Sequence, residues 1–225
     1  MSDARVVPAG DAAWLIELEN RLDAEVNARA IAIGHAVSAS GLAGLRDVVT
    51  GYRSVAVYFD PVSTPPDAAE RLAALARDTA VEPENAGAVI EVPVCYGGSF
   101  GPDLREVAAF AGCTEGEVVA IHGSRTYRVY LVGFVPGFPY MGTVDPRIAM
   151  PRRATPRTKV PAGSVGIAAE QTGIYPTETP GGWRLIGRTP IRLFDAERQP
   201  PCLFEAGARV RFTPMTREAF ERFGA

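Results

Sequence analysis

The hydrophobic pattern of the first 80 residues switches between a period of two and a helical period. Arg5 to Val7 and Trp14 to Glu19 read as short strands around the turn PAGD. A helical face follows, made of Leu22, Val26, Ala30, Ile33 and Val37 and closed by the breaker SASG. The stretch LRDVVTGYRSVAVYFD reads as two strands about Gly51, with Val55, Val57 and Phe59 on one side of the second. STPPDAAERLAALARD then opens a helix behind its prolines, with Ala68, Leu72, Leu75 and Thr79 in line. This is the pattern of a small N-terminal α/β domain over residues 1–82, with VEPENAG as the predicted linker.

From residue 87 onward the pattern predicts a second domain, 87–225. It starts with the strand AVIEVPV and two short helices. The first helix has Pro102 at its start and Gly112 just past its end. The second opens on Thr114 and Glu117, at the spacing of a capping box. Beyond Gly123, short strands (TYRVYLV, RLIG, IRLF, PCLFEA, ARVRFT) alternate with Gly/Pro turns, as in a β-barrel or sandwich. The whole chain is therefore expected to be α+β.

Composition narrows the function more by exclusion than by assertion. A net charge of −3 speaks against a polyanion-binding surface, so no nucleic-acid partner is expected. No apolar run reaches the length of a membrane helix, and the N-terminus has no leader-like pattern. Cys95, Cys113 and Cys202 lack CxxC spacing, which fits reduced thiols and a cytoplasmic protein. With two distant histidines and no HExxH, no metal site is expected. His122 ends a helix just before the barrel strands, as either a cap or a pocket base.

The 58 residues from Gly133 to Pro190 hold nine of 19 prolines and nine of 23 glycines. Loops of that length in a β domain tend to carry function. GFVPGFPYMG leaves a strand and reads as either a packed structural corner or a rigid pocket rim, in which Phe134, Phe138 and Tyr140 would form an apolar wall. DPRIAMPRRATPRTK sets Arg147, Arg152, Arg153, Arg157 and Lys159 against the single acid Asp145, a balance of +4. Such a focus suits phosphate or carboxylate, or else pairs with acids elsewhere in the chain. Arg152 and Arg153 are candidate anion contacts. Arg157 and Lys159, the one lysine beside 22 arginines, are candidate catalytic groups. In EQTGIYPTETPGGWRLIG, Gln171, Tyr175, Gly181, Gly182 and Trp183 form a candidate substrate wall, or a tight turn around a core tryptophan.

The run from Tyr127 to Asp195, together with YRSVAVYFDP, resembles the family of KipI and allophanate hydrolase subunit 1, also called carboxyltransferase subdomains C and D. The resemblance implies a small ferredoxin-like N-terminal α/β domain followed by a cyclophilin-like β-barrel. It implies a place in an ATP-dependent 5-oxoprolinase, which opens 5-oxo-L-proline to L-glutamate with ATP as co-substrate of the complex. The implied partners are two further proteins of that complex, one of carboxyltransferase subdomain A/B type and one of lactam-utilisation type. Allophanate hydrolase, a biotin-dependent carboxyltransferase and a KipI-type inhibitor of a sensor histidine kinase are the alternatives. The only lysine, in RTKV, lacks the Met-Lys-Met context of a biotin carrier, so no biotin is expected on this chain. The cyclophilin-like fold alone does not carry prolyl isomerase activity.

Overall fold

The computed structural model of the chain describes residues 4–81 and 88–223. The predicted linker lies almost wholly outside the described residues. The chain divides into two compact units, residues 1–86 and 87–225.

The first unit runs β1 (Arg5–Pro8), β2 (Ala13–Glu17), α1 (Ala24–Ala39), β3 (Leu45–Thr50), β4 (Ser54–Phe59) and α2 (Ala68–Asp78). Its strands form one antiparallel sheet in the order β1-β2-β4-β3. Asp23 starts α1 by accepting the backbone N–H of Glu25 and Val26 at 2.9 and 3.1 Å. Val26, Ala30, Ile33 and Val37 then pack with Leu72 and Ala76 against Ile16, Val55, Val57 and Phe59. Leu22 falls outside the expected face, because it precedes the cap and is 37% exposed. Thr79 caps α2 instead of continuing it, and Ala76 takes the buried position. The order ββαββα differs from the βαββαβ of a ferredoxin-like unit. A split β2-α1-β3 around β4 is present, but the strand beside β2 is supplied from the start of the chain.

The second unit begins with β5 (Ile90–Tyr96), α3 (Leu104–Ala111) and α4 (Glu115–Gly123). Gly112 closes α3 in the left-handed region at φ 64°, and the Thr114–Glu117 capping box opens α4. Strands β6 (Thr126–Val132), β7 (Pro139–Gly142), β8 (Arg157–Val160), β9 (Ser164–Ala168), β10 (Gln171–Ile174), β11 (Thr179–Gly181), β12 (Arg184–Arg188) and β13 (Arg209–Pro214) follow, then α5 (Arg217–Glu221). Seven strands, β5 among them, close a barrel in the order β10-β7-β6-β13-β5-β12-β9, while β8 and β11 pair separately. The expected strands IRLF and PCLFEA reduce to one isolated bridge between Phe194 and Cys202.

Alternate residues along the barrel strands, among them Val92, Val94, Val129, Met141, Val165, Ile167, Ile174, Ile186 and Phe212, meet in one buried cluster. A barrel of this size is filled by its own inward side chains. His122 belongs to this interior and is fully buried. Its ring stacks on Phe212 at 4.5 Å. Nδ1 lies 2.8 Å from the Tyr96 hydroxyl and Nε2 lies 2.9 Å from Thr172 Oγ1. Thr172 donates its hydroxyl hydrogen to the Gly166 carbonyl, so it accepts from His122 Nε2–H, and Nδ1 in turn accepts from Tyr96. Burial pushes this imidazole down to about 3 from its ordinary 6.5. A neutral ring with both nitrogens engaged inside the barrel is a structural group, which corrects its reading as a pocket base.

The unfolded chain takes up a proton at His122 near pH 6.5, and the folded chain does not until about 3. Stability is therefore unaffected above pH 6.5 and is lost as pH falls below it. Between pH 6.5 and 5 the loss should be about 2 kcal/mol from this residue. Chemical denaturation of wild type and His122→Gln across that window should show the slope only in wild type. Equal slopes would remove His122 as its source.

Candidate functional site

The site forms on the outer face of the barrel wall, where β7, β10 and β9 lie side by side. Met141, Thr172, Ile174 and Ile167 point inward, so Tyr140, Gln171, Gly173, Gly166 and Ala168 face outward. The small residues leave room for large rings. A Cβ on Gly173 would stand 3.0 Å from both Phe138 and Trp183. Phe138 is the hub, with Tyr140, Tyr175 and Trp183 centred 4.7, 5.1 and 5.4 Å away. Phe134 meets it edge-on at 5.8 Å. These offset and edge-to-face contacts make a stiff aromatic floor.

Over that floor opens a cavity of about 540 Å³. Its polar side is Gln171, Tyr175, Thr179 and the backbone from Pro180 to Gly182, and Arg152 and Pro156 close another edge. Glycine is required at 181, since a Cβ there would lie 2.4 Å from the Tyr175 hydroxyl. That hydroxyl also lies on the Trp183 backbone amide. The Arg153 N–H donates to the Gly182 carbonyl at 2.7 Å and ties the arginine loop to this turn. Among the described residues, Phe134 and Ala169 are the non-glycine residues with positive φ, at 65° and 51°, and both line the cavity. Strained backbone of this kind concentrates at functional sites.

The arginine cluster separates into pairs. Asp103, only 2% exposed, accepts Arg157 at 2.9 and 2.7 Å, Arg153 at 3.2 Å and the Leu185 N–H at 2.7 Å. Arg147 and then Arg125 hold Asp145, whose carboxyl sits well below the usual carboxylate range. Lys159 projects from β8 into solvent and pairs with Glu178 at 3.3 Å. Arg152 alone of this cluster lines the cavity and makes no ion pair among the described residues. Burial raises the Tyr175 and Tyr140 phenols, and the Arg152 charge opposes that rise in both.

All seven candidate substrate contacts therefore come together at one cavity: Phe138, Tyr140, Gln171, Tyr175, Gly181, Gly182 and Trp183. Arg152 joins them. Arg153, Arg157, Lys159 and His122 lie elsewhere, the first two on Asp103, the third at the surface and the last inside the barrel. The expected rim of a barrel pocket is instead a wall outside a filled barrel. Asp103 escaped the sequence reading because its partners lie 50 and 54 residues away and a lone acid before a helix reads as a cap. Ala168 and Ala169 carried no chemical signal at all.

Residues 4–204 match the carboxyltransferase domain, subdomain C and D, and the chain belongs to that family. It is 39% identical over 229 residues to the B subunit of 5-oxoprolinase from Bacillus subtilis (strain 168), covering 95% of this chain and 94% of that protein. It is 42% identical over 216 residues to the protein of the same name from Escherichia coli O157:H7, covering 95% and 97%. A conserved uncharacterized protein from Pyrococcus horikoshii superimposes with TM-score 0.59 at 42% identity, over 96% of this chain and 100% of that one. The urea amidolyase of K. lactis shares the fold, with TM-score 0.80 at 24% identity over 97% of this chain and 15% of that one.

Two substitutions test the construction. Asp103→Asn should lower stability by about 3 kcal/mol, because Arg157 and Arg153 lose their charge partner in a mostly buried place. Denaturant midpoints read this, and a change under about 1 kcal/mol would deny Asp103 its role. Gly181→Ala should push the Tyr175 phenol out of place. The near-ultraviolet signal of the aromatic floor should change while the far-ultraviolet signal stays. An unchanged aromatic signal would show that the turn gives way instead.

Proposed function

We propose that this chain is the B subunit of an ATP-dependent 5-oxoprolinase, with a cyclophilin-like barrel whose outer-wall cavity receives the lactam substrate. The observation that carries the proposal is the cavity lining, an aromatic floor beside the amide of Gln171 and the hydroxyl of Tyr175. A lactam presents a planar ring with one donor and one acceptor, which suits that combination. Two nearly full-length relatives named as B subunits of 5-oxoprolinase support the same reading. A putative urea carboxylase from Emericella nidulans is less similar, at 31% identity over 55% of this chain and 11% of its own length.

Among the described residues, no acid, histidine or lysine lines the cavity, so its residues bind and orient but supply no general base. ATP supplies the driving force for opening a lactam that water alone leaves intact. The chain therefore works beside companion proteins, one of carboxyltransferase subdomain A/B type and one of lactam-utilisation type, in a reducing cytoplasm that suits three free cysteines.

The test is ATP hydrolysis dependent on 5-oxo-L-proline, measured for the chain alone and with both companions. The chain alone should be inactive and the mixture active. Full activity from the single chain would overturn the reading as one part of a complex, and an inactive mixture would overturn the substrate.

A further inference from the structure

Four of the five positive charges in the loop from Asp145 to Lys159 are ion-paired with acids of the same chain, Arg153 and Arg157 sharing Asp103. Arg152 has no such partner among the described residues, and it is the one charged side chain among those lining the cavity. Its guanidinium runs beside Gly182, with Nε and Nη2 each 3.7 Å from where a Cβ would stand. It acts on the Tyr140 and Tyr175 phenols from that position. The cavity thus offers one positive charge, an aromatic floor and uncharged hydrogen-bonding groups.

We infer that Arg152 is the specificity-determining residue of this cavity, binding the carboxylate of a small cyclic amide acid while the ring lies on Phe138, Tyr140 and Trp183. This rests on the reading of the cavity as the substrate site. An arginine fork binds a carboxylate bidentately, and with no acid lining the cavity its charge is available to a ligand. A single charge matches a monoanion. A nucleoside triphosphate carries several negative charges, and one guanidinium leaves most of them unanswered, so this cavity is not matched to a nucleotide. A neutral urea-type ligand gains nothing from the exposed Arg152 charge, so the same residue favours the acid over it.

The experiment compares 5-oxo-L-proline with its uncharged carboxamide as ligands of the full chain and of the assembled complex, by calorimetry. Wild type should bind the acid at least tenfold more tightly than the carboxamide. Arg152→Gln should lose at least tenfold for the acid and less than twofold for the carboxamide, and Arg152→Lys should recover part of the loss. Melting curves should coincide, since Arg152 supports no buried ion pair among the described residues. Equal affinity of wild type for the two ligands, an unchanged acid affinity in Arg152→Gln, or no binding of either ligand would each overturn the inference. Acid binding lost in Arg152→Gln, without ATP hydrolysis in the complex, would uphold the carboxylate anchor and remove only the oxoprolinase reading.

Discussion

The buried carboxylate of Asp103 is the constraint on which the site depends. It stands at the start of α3, and every group that answers its charge comes from elsewhere: Arg153 and Arg157 from the arginine loop and β8, and the Leu185 amide from β12. Removing a carboxylate from water costs several kcal/mol, and only a full set of charge-assisted hydrogen bonds offsets that. Four such bonds reach Asp103, so three segments distant in sequence are fixed on one point. The loop is thereby set for the Arg153 amide to reach the Gly182 carbonyl, and the cavity edge is closed.

The barrel supplies the second constraint. Its interior is occupied by its own apolar side chains and by His122, and the cavity lies on the outer face. There the sequence places Gly166, Gly173 and Ala168 where a typical strand would carry bulk. Their smallness lets Trp183 and Phe138 approach the sheet closely, edge to face with one another. The rings then share one buried cluster with Val160, Ala168 and Leu185, and packing stiffens the floor.

Much of this was legible in the sequence wherever the signal is local. The capping box at Thr114 and Glu117, the left-handed Gly112 and the apolar face of α1 from Val26 to Val37 all depend on residues a few positions apart. The residues from Phe138 to Trp183 stood out because rings and glycines share one Gly/Pro-rich region, and the same Phe138, Tyr175 and Trp183 also form the buried cluster that a tight turn around a core tryptophan implies. The charges were not legible. Counting +4 between Asp145 and Lys159 ignores partners such as Asp103 and Glu178, which lie beyond any local window. Short strands β7 to β11 hid inside the same Gly/Pro-rich stretch, since pairing across the barrel and not propensity makes them strands. IRLF failed in the opposite direction, having the composition of a strand but no neighbour to pair with beyond one bridge.

The contrast between Arg152 and Arg153 shows how the clamp and the cavity are linked. The two are neighbours of identical chemistry, and sequence cannot rank them. Asp103 fixes one, and the hydrogen bond of that same residue to Gly182 fixes the loop. What remains for the other is the single open direction, over a residue without a side chain and toward two phenols. A charge left without a counter-ion there is sustained by solvent in the open cavity. It gains strength when a ligand expels that solvent, because the same ion pair is worth several times more in a low-dielectric enclosure than in water. The left-handed backbone at Phe134 and Ala169 costs free energy on the same rim, where Phe134 meets Phe138 edge-on and the Ala169 N–H donates to the Met150 carbonyl at 2.9 Å.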